Sequence, residues 1–181
     1  RRLPIATPPR NRLPVETRVS EVSDKILTDA ISDEIARGGQ VFVVNPHIKG
    51  LEEIAAHVEE LVPQARVCVA HGQMGENDLE QVMSAFLNRE FDVLVSTSIV
   101  ESGLDIPSVN TILVMEAHKF GLSQLHQLRG RVGRSDVKGF CWLLVQDVER
   151  LLSDAKKRLS ALEQFTDLGS VTLEARVEDE Q

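Results

Sequence analysis

A chain of 181 residues, 42% hydrophobic and 27% charged, suffices for one well-buried domain and is short for two of ordinary size. Its longest apolar runs, such as Val41-Phe42-Val43-Val44, are strand-length against the ~18 residues a membrane span needs, and no signal-peptide pattern opens the chain. A net charge of −8 argues against a broad nucleic-acid-coating surface, yet that charge is uneven enough to leave local basic patches.

Residues 1–14 contain Pro4, Pro8, Pro9 and Pro14 and read as an extended leader. From Val15 to Val22 the residues Val15, Thr17, Val19 and Val22 alternate with polar ones, the pattern of an edge strand. Asp24 is the expected cap of a helix whose Leu27, Ile31 and Ile35 share a face and which Gly38-Gly39 ends. Strand 40–45 leads to a helix from about Leu51, with Ile54, Ala55, Val58, Leu61 and Val62 inward and Pro63 closing it. Strand 66–70 runs into His71-Gly72, followed by a helix burying Leu79, Val82, Met83 and Phe86. Strands 92–97 and 111–115, a helix from about Ser123, strand 139–145 and a helix from about Glu149 complete the order. Cys68 and Cys141 each lie inside an apolar strand and are expected to be buried thiols. They are too few and too far apart for a disulfide framework or a zinc site, so no metal site is expected and a reducing cytoplasm is the simplest compartment. Short continuous apolar strands alternating with amphipathic helices predict an α/β domain, a mainly parallel sheet covered by helices on both faces. In such sheets ligands gather at loops leaving the carboxyl ends of strands.

Three loops carry unusual chemistry. Residues 119–138 have a net charge of +4 on an otherwise acidic body, which points to one anion site such as a phosphate. Within them stands Gln127-Leu128-Arg129-Gly130-Arg131-Val132-Gly133-Arg134. Projected on a helix at about 100° per residue, Arg131 falls about 40° and Arg134 about −20° from Gln127. Leu125, Leu128 and Val132 fall at about 160°, 100° and 140°, an apolar stripe, and Arg129 near about 200° points elsewhere. An amide and two forked, permanently charged guanidiniums on one face suit the oxygens of a terminal phosphate. Gly130 and Gly133 cost about 1 kcal/mol each in a helix, so their presence suggests close approach of a ligand or another backbone. A solvated basic helix end is the blander alternative.

The second loop, Thr97-Ser98-Ile99-Val100-Glu101-Ser102-Gly103-Leu104-Asp105-Ile106-Pro107, follows a strand directly. Thr97 and Ser98 put hydroxyls and N–H groups where a phosphate contact is natural, Gly103 permits a backbone excursion, and Asp105 can accept from a ribose hydroxyl or a metal-bound water. A polar turn capped by Asp105 and restricted by Pro107 accounts for the same residues. The third loop, His71-Gly72-Gln73-Met74, suits either a sugar–phosphate contact or a histidine satisfied locally.

STSIVESGLDIP and QLHQLRGRVGRS resemble motifs V and VI of superfamily 2 helicases and translocases, and HGQM resembles the loop between their fourth and fifth motifs. The resemblance runs from about Val15 to Phe165. Within the superfamily, the segments IATPPRNRLPVET, GGQVFVVN, ELVPQARVCVAHGQM, FGLSQLHQLRGRVGRS and DLG are most similar to the bacterial branch that couples DNA repair to transcription. Branch-migration helicases share LHQLRGRVGR and are the rival; HGQM and the TPP leader favour the first branch.

The resemblance implies a RecA-like three-layer domain over residues 15–165, the second of a pair that clamps ATP with Mg²⁺, followed by a frayed tail at 166–181. It implies that Arg131 and Arg134, with Gln127, face ATP as arginine fingers, and that Gly103, Asp105 and Gly130 complete the nucleotide side. Thr97, Ser98, His71 and Gly72 would contact a double-stranded DNA backbone without regard to sequence. Partners implied are the first RecA-like domain of the same protein, with RNA polymerase and repair proteins recruited through domains outside this chain, and no membrane. No Gly-rich loop ending in Gly-Lys-Ser/Thr occurs and no DEAD- or DEEH-type box follows a strand, so the chain is expected to be half a motor, inactive alone. Its start at Arg1 fits a piece of a longer protein. After Asp167-Leu168-Gly169 the family continues into a glycine-containing hairpin, whereas SVTLEARVEDEQ stands here. A non-catalytic interaction module would be expected to lose Arg131 and Arg134, and a small-molecule enzyme on a doubly wound sheet would need glycine between Glu21 and Lys25; neither holds.

Overall fold

Among the described residues, six strands form one sheet in the order β1-β6-β5-β2-β4-β3, every neighbouring pair parallel. The computed structural model describes residues 13–97, 106, 108–133 and 136–164. The strands are β1 (Val15–Glu21), β2 (Gln40–Val44), β3 (Val67–Ala70), β4 (Val93–Ser96), β5 (Val109–Val114) and β6 (Gly139–Val145). Between and after them lie α1 (Asp24–Ala36), α2 (Leu51–Leu61), α3 (Glu76–Leu87), α4 (Leu122–Arg129) and α5 (Ser153–Gln164). The parallel α/β architecture expected from the sequence is the one observed.

β2, β4 and β5 are buried along their whole length and, apart from Gln40, Ser96, Asn110 and Thr111 near their ends, present apolar residues to both faces rather than alternating. One face carries Val41, Val43, Val93, Val95 and Leu113 against Leu27 and Ile31 of α1 and Ala55 and Val58 of α2. The opposite face carries Phe42, Leu94, Ile112 and Leu143 against Phe86 of α3, Leu125 and Leu128 of α4, and Leu159 and Leu162 of α5. Truncating a side chain as enclosed as Phe86 costs about 3–5 kcal/mol. Strand β1 is the edge its alternation predicts, with Val15 and Thr17 buried. Its outward Val19 N–H is covered by Glu163 Oε2 of α5 at 2.7 Å, which blunts the edge.

Several boundaries depart from expectation. Ser23, not Asp24, caps α1: its Oγ accepts from Ile26 N at 3.1 Å, while Asp24 pairs with His57 at 2.7 Å. Gly38 then takes φ +86, which lets Gly38 N and Gly39 N return to Ile35 O and Glu34 O. The last helix does not begin at Glu149; a 3-10 turn at Val148–Arg150 intervenes, with Asp147 accepting from Glu149 N. Cys68 and Cys141 are buried as expected, and burial pushes both thiols up to about 12.

Candidate functional site

All strands being parallel, the sheet has one carboxyl edge and one amino edge, and the candidate residues divide between them. Helix α4 rises about 12 Å from the first edge towards the second. It stops earlier than the projection assumed. Gly130 N donates to His126 O at 3.0 Å, after which Arg131 N and Val132 N reach back only three residues, to Leu128 O and Arg129 O. Arg131 therefore lies beyond the helix, and the shared helical face predicted for it with Gln127 is corrected: the tightened turn breaks the 3.6-residue period. Gln127 is exposed on α4, and Arg131 is half-buried in the turn.

The glycines explain the turn. Gly133 has φ +83, and a Cβ on it would lie 2.8 Å from Val15 Cγ2; a Cβ on Gly139 would lie 2.6 Å from Gly133 N. The close approach inferred at Gly133 is to another backbone, at the start of β1 and β6. Gly130 is exposed, and a Cβ there would meet only carbonyl oxygens at 3.4 Å, so its position requires no such contact. Gly133 N donates to Asn110 Oδ1 at 3.3 Å. Ile106, the far end of the second loop, is buried and accepts from Val109 N, so that loop ends on the same amino edge. Ser98, Gly103, Asp105 and Arg134 lie outside the described residues.

Arg129 is 4% exposed, and its Nη1 donates to Leu162 O of α5 at 3.0 Å. Beside it, burial first and then the Arg129 charge hold His126 below the ordinary histidine range.

At the carboxyl edge the register pairs Val44 with Ser96 and Ser96 with Ala70, so the next residues, Asn45, Thr97 and His71, form a row across three strands. Thr97 is 7% exposed and its Oγ1 has no partner among the described residues, a buried hydroxyl that needs one. His71 Nδ1 accepts from Gln73 N at 3.2 Å; its ring proton is thereby assigned to Nε2, a donor suited to an anion. Gly72 beside it is exposed. Asn45 was missed from sequence. It is buried, its N–H donates to Ser96 O at 2.9 Å and its Nδ2 to His47 O at 2.8 Å. Its signal was a polar residue ending a wholly apolar strand. The two groups of candidates are not brought together: β5, six residues long, separates the edges by roughly 17 Å or more. Looking only at carboxyl-end loops overlooks the amino edge, where the arginine turn sits.

A family model described as the helicase conserved C-terminal domain matches residues 22–136. Transcription-repair-coupling factors of Bacillus subtilis, Myxococcus xanthus and Escherichia coli are 50%, 49% and 48% identical over 166 residues. Each match covers 92% of this chain and 14% of the relative, so the chain spans about a seventh of their length. Among solved structures, RecG bound to a three-way DNA junction is 33% identical with a TM-score of 0.77, covering 93% of this chain and 22% of that one. The C-terminal domain of the DEAD-box protein Dbp5, 15% identical with a TM-score of 0.59 and covering 85% and 84%, shares the fold.

Proposed function

Because the chain belongs to the helicase conserved C-terminal domain family, we propose that it is the second RecA-like half of an ATP-driven translocase of double-stranded DNA, of the transcription-repair-coupling kind. The observation that carries this reading is the amino edge: the turn bearing Arg131 and the end of the loop bearing Gly103 and Asp105 meet there, beside Asn110. ATP would be gripped mainly by the other half of the motor. Here Arg131 and Arg134 would reach the γ-phosphate across the cleft, with Gln127, Gly130, Gly103 and Asp105 at the nucleotide's flank. The reaction is phosphoryl transfer to water, in which forked donors stabilise the charge spreading over the transferred group. Mg²⁺ would supply charge neutralisation between the phosphates and would be held mainly by the other half of the motor.

On the carboxyl edge Thr97, His71, Gly72 and Ser98 would meet the DNA backbone, joined by Asn45. Phosphate contacts position without reading sequence, as a translocase requires. Closing the cleft on ATP and reopening it after hydrolysis would shift this grip relative to the other half's. RNA polymerase and repair proteins would be recruited by domains outside this chain, in the cytoplasm. The corresponding half of a branch-migration helicase is the second reading, favoured by the RecG structure; identity of 49% to a coupling factor against 33% to RecG supports the first.

The test is DNA-stimulated ATP turnover of the complete protein. Arg131→Ala and Arg134→Ala should each lower it by about 10³-fold or more, and Arg131→Lys should restore little because an ammonium lacks the fork. Lys138→Ala, which removes a surface pair with Glu16, serves as the control and should stay near the parent. Turnover of Arg131→Ala within twofold of Lys138→Ala would refute the reading.

A further inference from the structure

An asparagine inside a buried parallel strand is out of place by composition, since its amide favours turns over ladders and must find partners once desolvated. Asn110 is such a residue: the second position of β5, 5% exposed, followed by Thr111-Ile112-Leu113-Val114. The two polar residues at this end face opposite sides. Thr111 Oγ1 donates to Glu34 of α1, whereas Asn110 Oδ1 accepts from Gly133 N across the other face. Gly133 is itself buried, so without Asn110 its N–H would face no acceptor in that position. The peptide so held is the one at φ +83 between Arg131 and residue 134. Asn110 also follows, by one residue, the turn that ties Val109 N to Ile106 O at 3.1 Å. One short side chain thus ties the start of β5 to the turn containing Arg131.

We infer that Asn110 is a positioning residue for the arginine turn: its amide fixes that turn against the start of β5, and so where Arg131 arrives in the transition state. This rests on the proposed role of Arg131. A displacement of about 1 Å at a charge-stabilising group is enough to lower turnover on the order of 100-fold. Ground-state nucleotide binding, made mostly by the other half, should change little.

The experiment measures kcat and KM for ATP, with DNA saturating, for Asn110→Leu, Asn110→Asp, Arg131→Ala and the double variant Asn110→Leu/Arg131→Ala of the complete protein. Leucine keeps the volume and removes the acceptor; aspartate keeps an oxygen in its place. Asn110→Leu should lower kcat about 10- to 100-fold with KM within about threefold, and Asn110→Asp should recover most of the loss. In the Arg131→Ala background Asn110→Leu should add no further loss, since it acts through the missing group. If Asn110→Leu melts well below the parent, Asn110→Ala takes its place with the same expectations. An unchanged kcat, equal losses in Asn110→Leu and Asn110→Asp, or a further loss in the double variant would overturn the inference. Parental turnover in Arg131→Ala would instead overturn the arginine reading on which it stands.

Discussion

Two arginines two residues apart, Arg129 and Arg131, have different physical lives. Arg129 is enclosed, with a guanidinium nitrogen on the Leu162 carbonyl, so it fastens the last turn of α4 to α5. Arg131, two residues later, stands half-buried in a turn whose path is set by backbone and glycine. Arg129→Ala should therefore cost about 2–4 kcal/mol, lowering Tm by roughly 5–15 °C, because it opens a cavity and strands a buried carbonyl. Arg131→Ala should leave Tm within about 2 °C of the parent. Thermal melts of the two variants side by side check this, and equal drops would contradict it. From sequence alone the helical projection says only that Arg129 points elsewhere than Gln127. Nothing local distinguishes a charged side chain that snorkels into a helix contact from one facing solvent; that depends on α5, which follows more than twenty residues later.

At the level of elements, legibility tracks how local the deciding interaction is. Strand β2 was plain because Val41–Val44 is apolar without a break, and β1 because Val15, Thr17 and Val19 alternate with Glu16 and Arg18. The end of α4 was not, since Val132 continues the apolar stripe of Leu125 and Leu128 and is indeed fully buried. What stops the helix is the packing of Gly133 against Gly139 and Val15, a tertiary contact with no periodic signature. Asn45 and Asn110 were unread for the same reason: their partners are distant backbones or the loop ahead. Two elements also carry histidines of opposite sign. On α4, His126 has its folded pKa lowered, so its contribution to stability is present above the unfolded value of about 6.5 and is lost as pH falls through the folded one. On α2, His57 has its folded pKa raised by Asp24, so its smaller, solvent-screened contribution is present below about 6.5 and lost as pH rises through the folded value. His126→Gln should flatten the fall in Tm between pH 7.5 and pH 5, and His57→Gln should steepen it. Parallel shifts of the two profiles would contradict these assignments.

For the molecule as a whole, the two proposed ligand surfaces lie on opposite edges of one sheet. The carboxyl edge offers a short row, Asn45, Thr97 and His71, and Lys119 near it is occupied by Glu116 at 2.8 Å. The isolated chain should therefore bind duplex DNA weakly, without sequence preference, and with a shallow dependence on salt because few phosphates are neutralised. It should also release no phosphate from ATP above background, having no phosphate-binding loop. Fluorescence titrations with scrambled duplexes at several salt concentrations, alongside a phosphate-release assay, test both. A steep salt slope, or turnover that disappears with Arg131→Ala, would mean that the chain holds more of the motor than proposed.

The pairing of β1 with β6 has a consequence for how such a domain is made. Val15–Glu21 leaves the ribosome first among the strands, yet its partner, Gly139–Val145, is synthesised last. At about 5–20 residues per second the gap amounts to roughly 6–25 s, during which a strand with an apolar face has no neighbour to join. The alternation that marks β1 as an edge, with Glu16, Arg18 and Ser20 on one face, keeps that waiting segment charged. The nascent sheet can grow outward from β2, β4 and β5, and the closing step brings the two ends of the domain side by side.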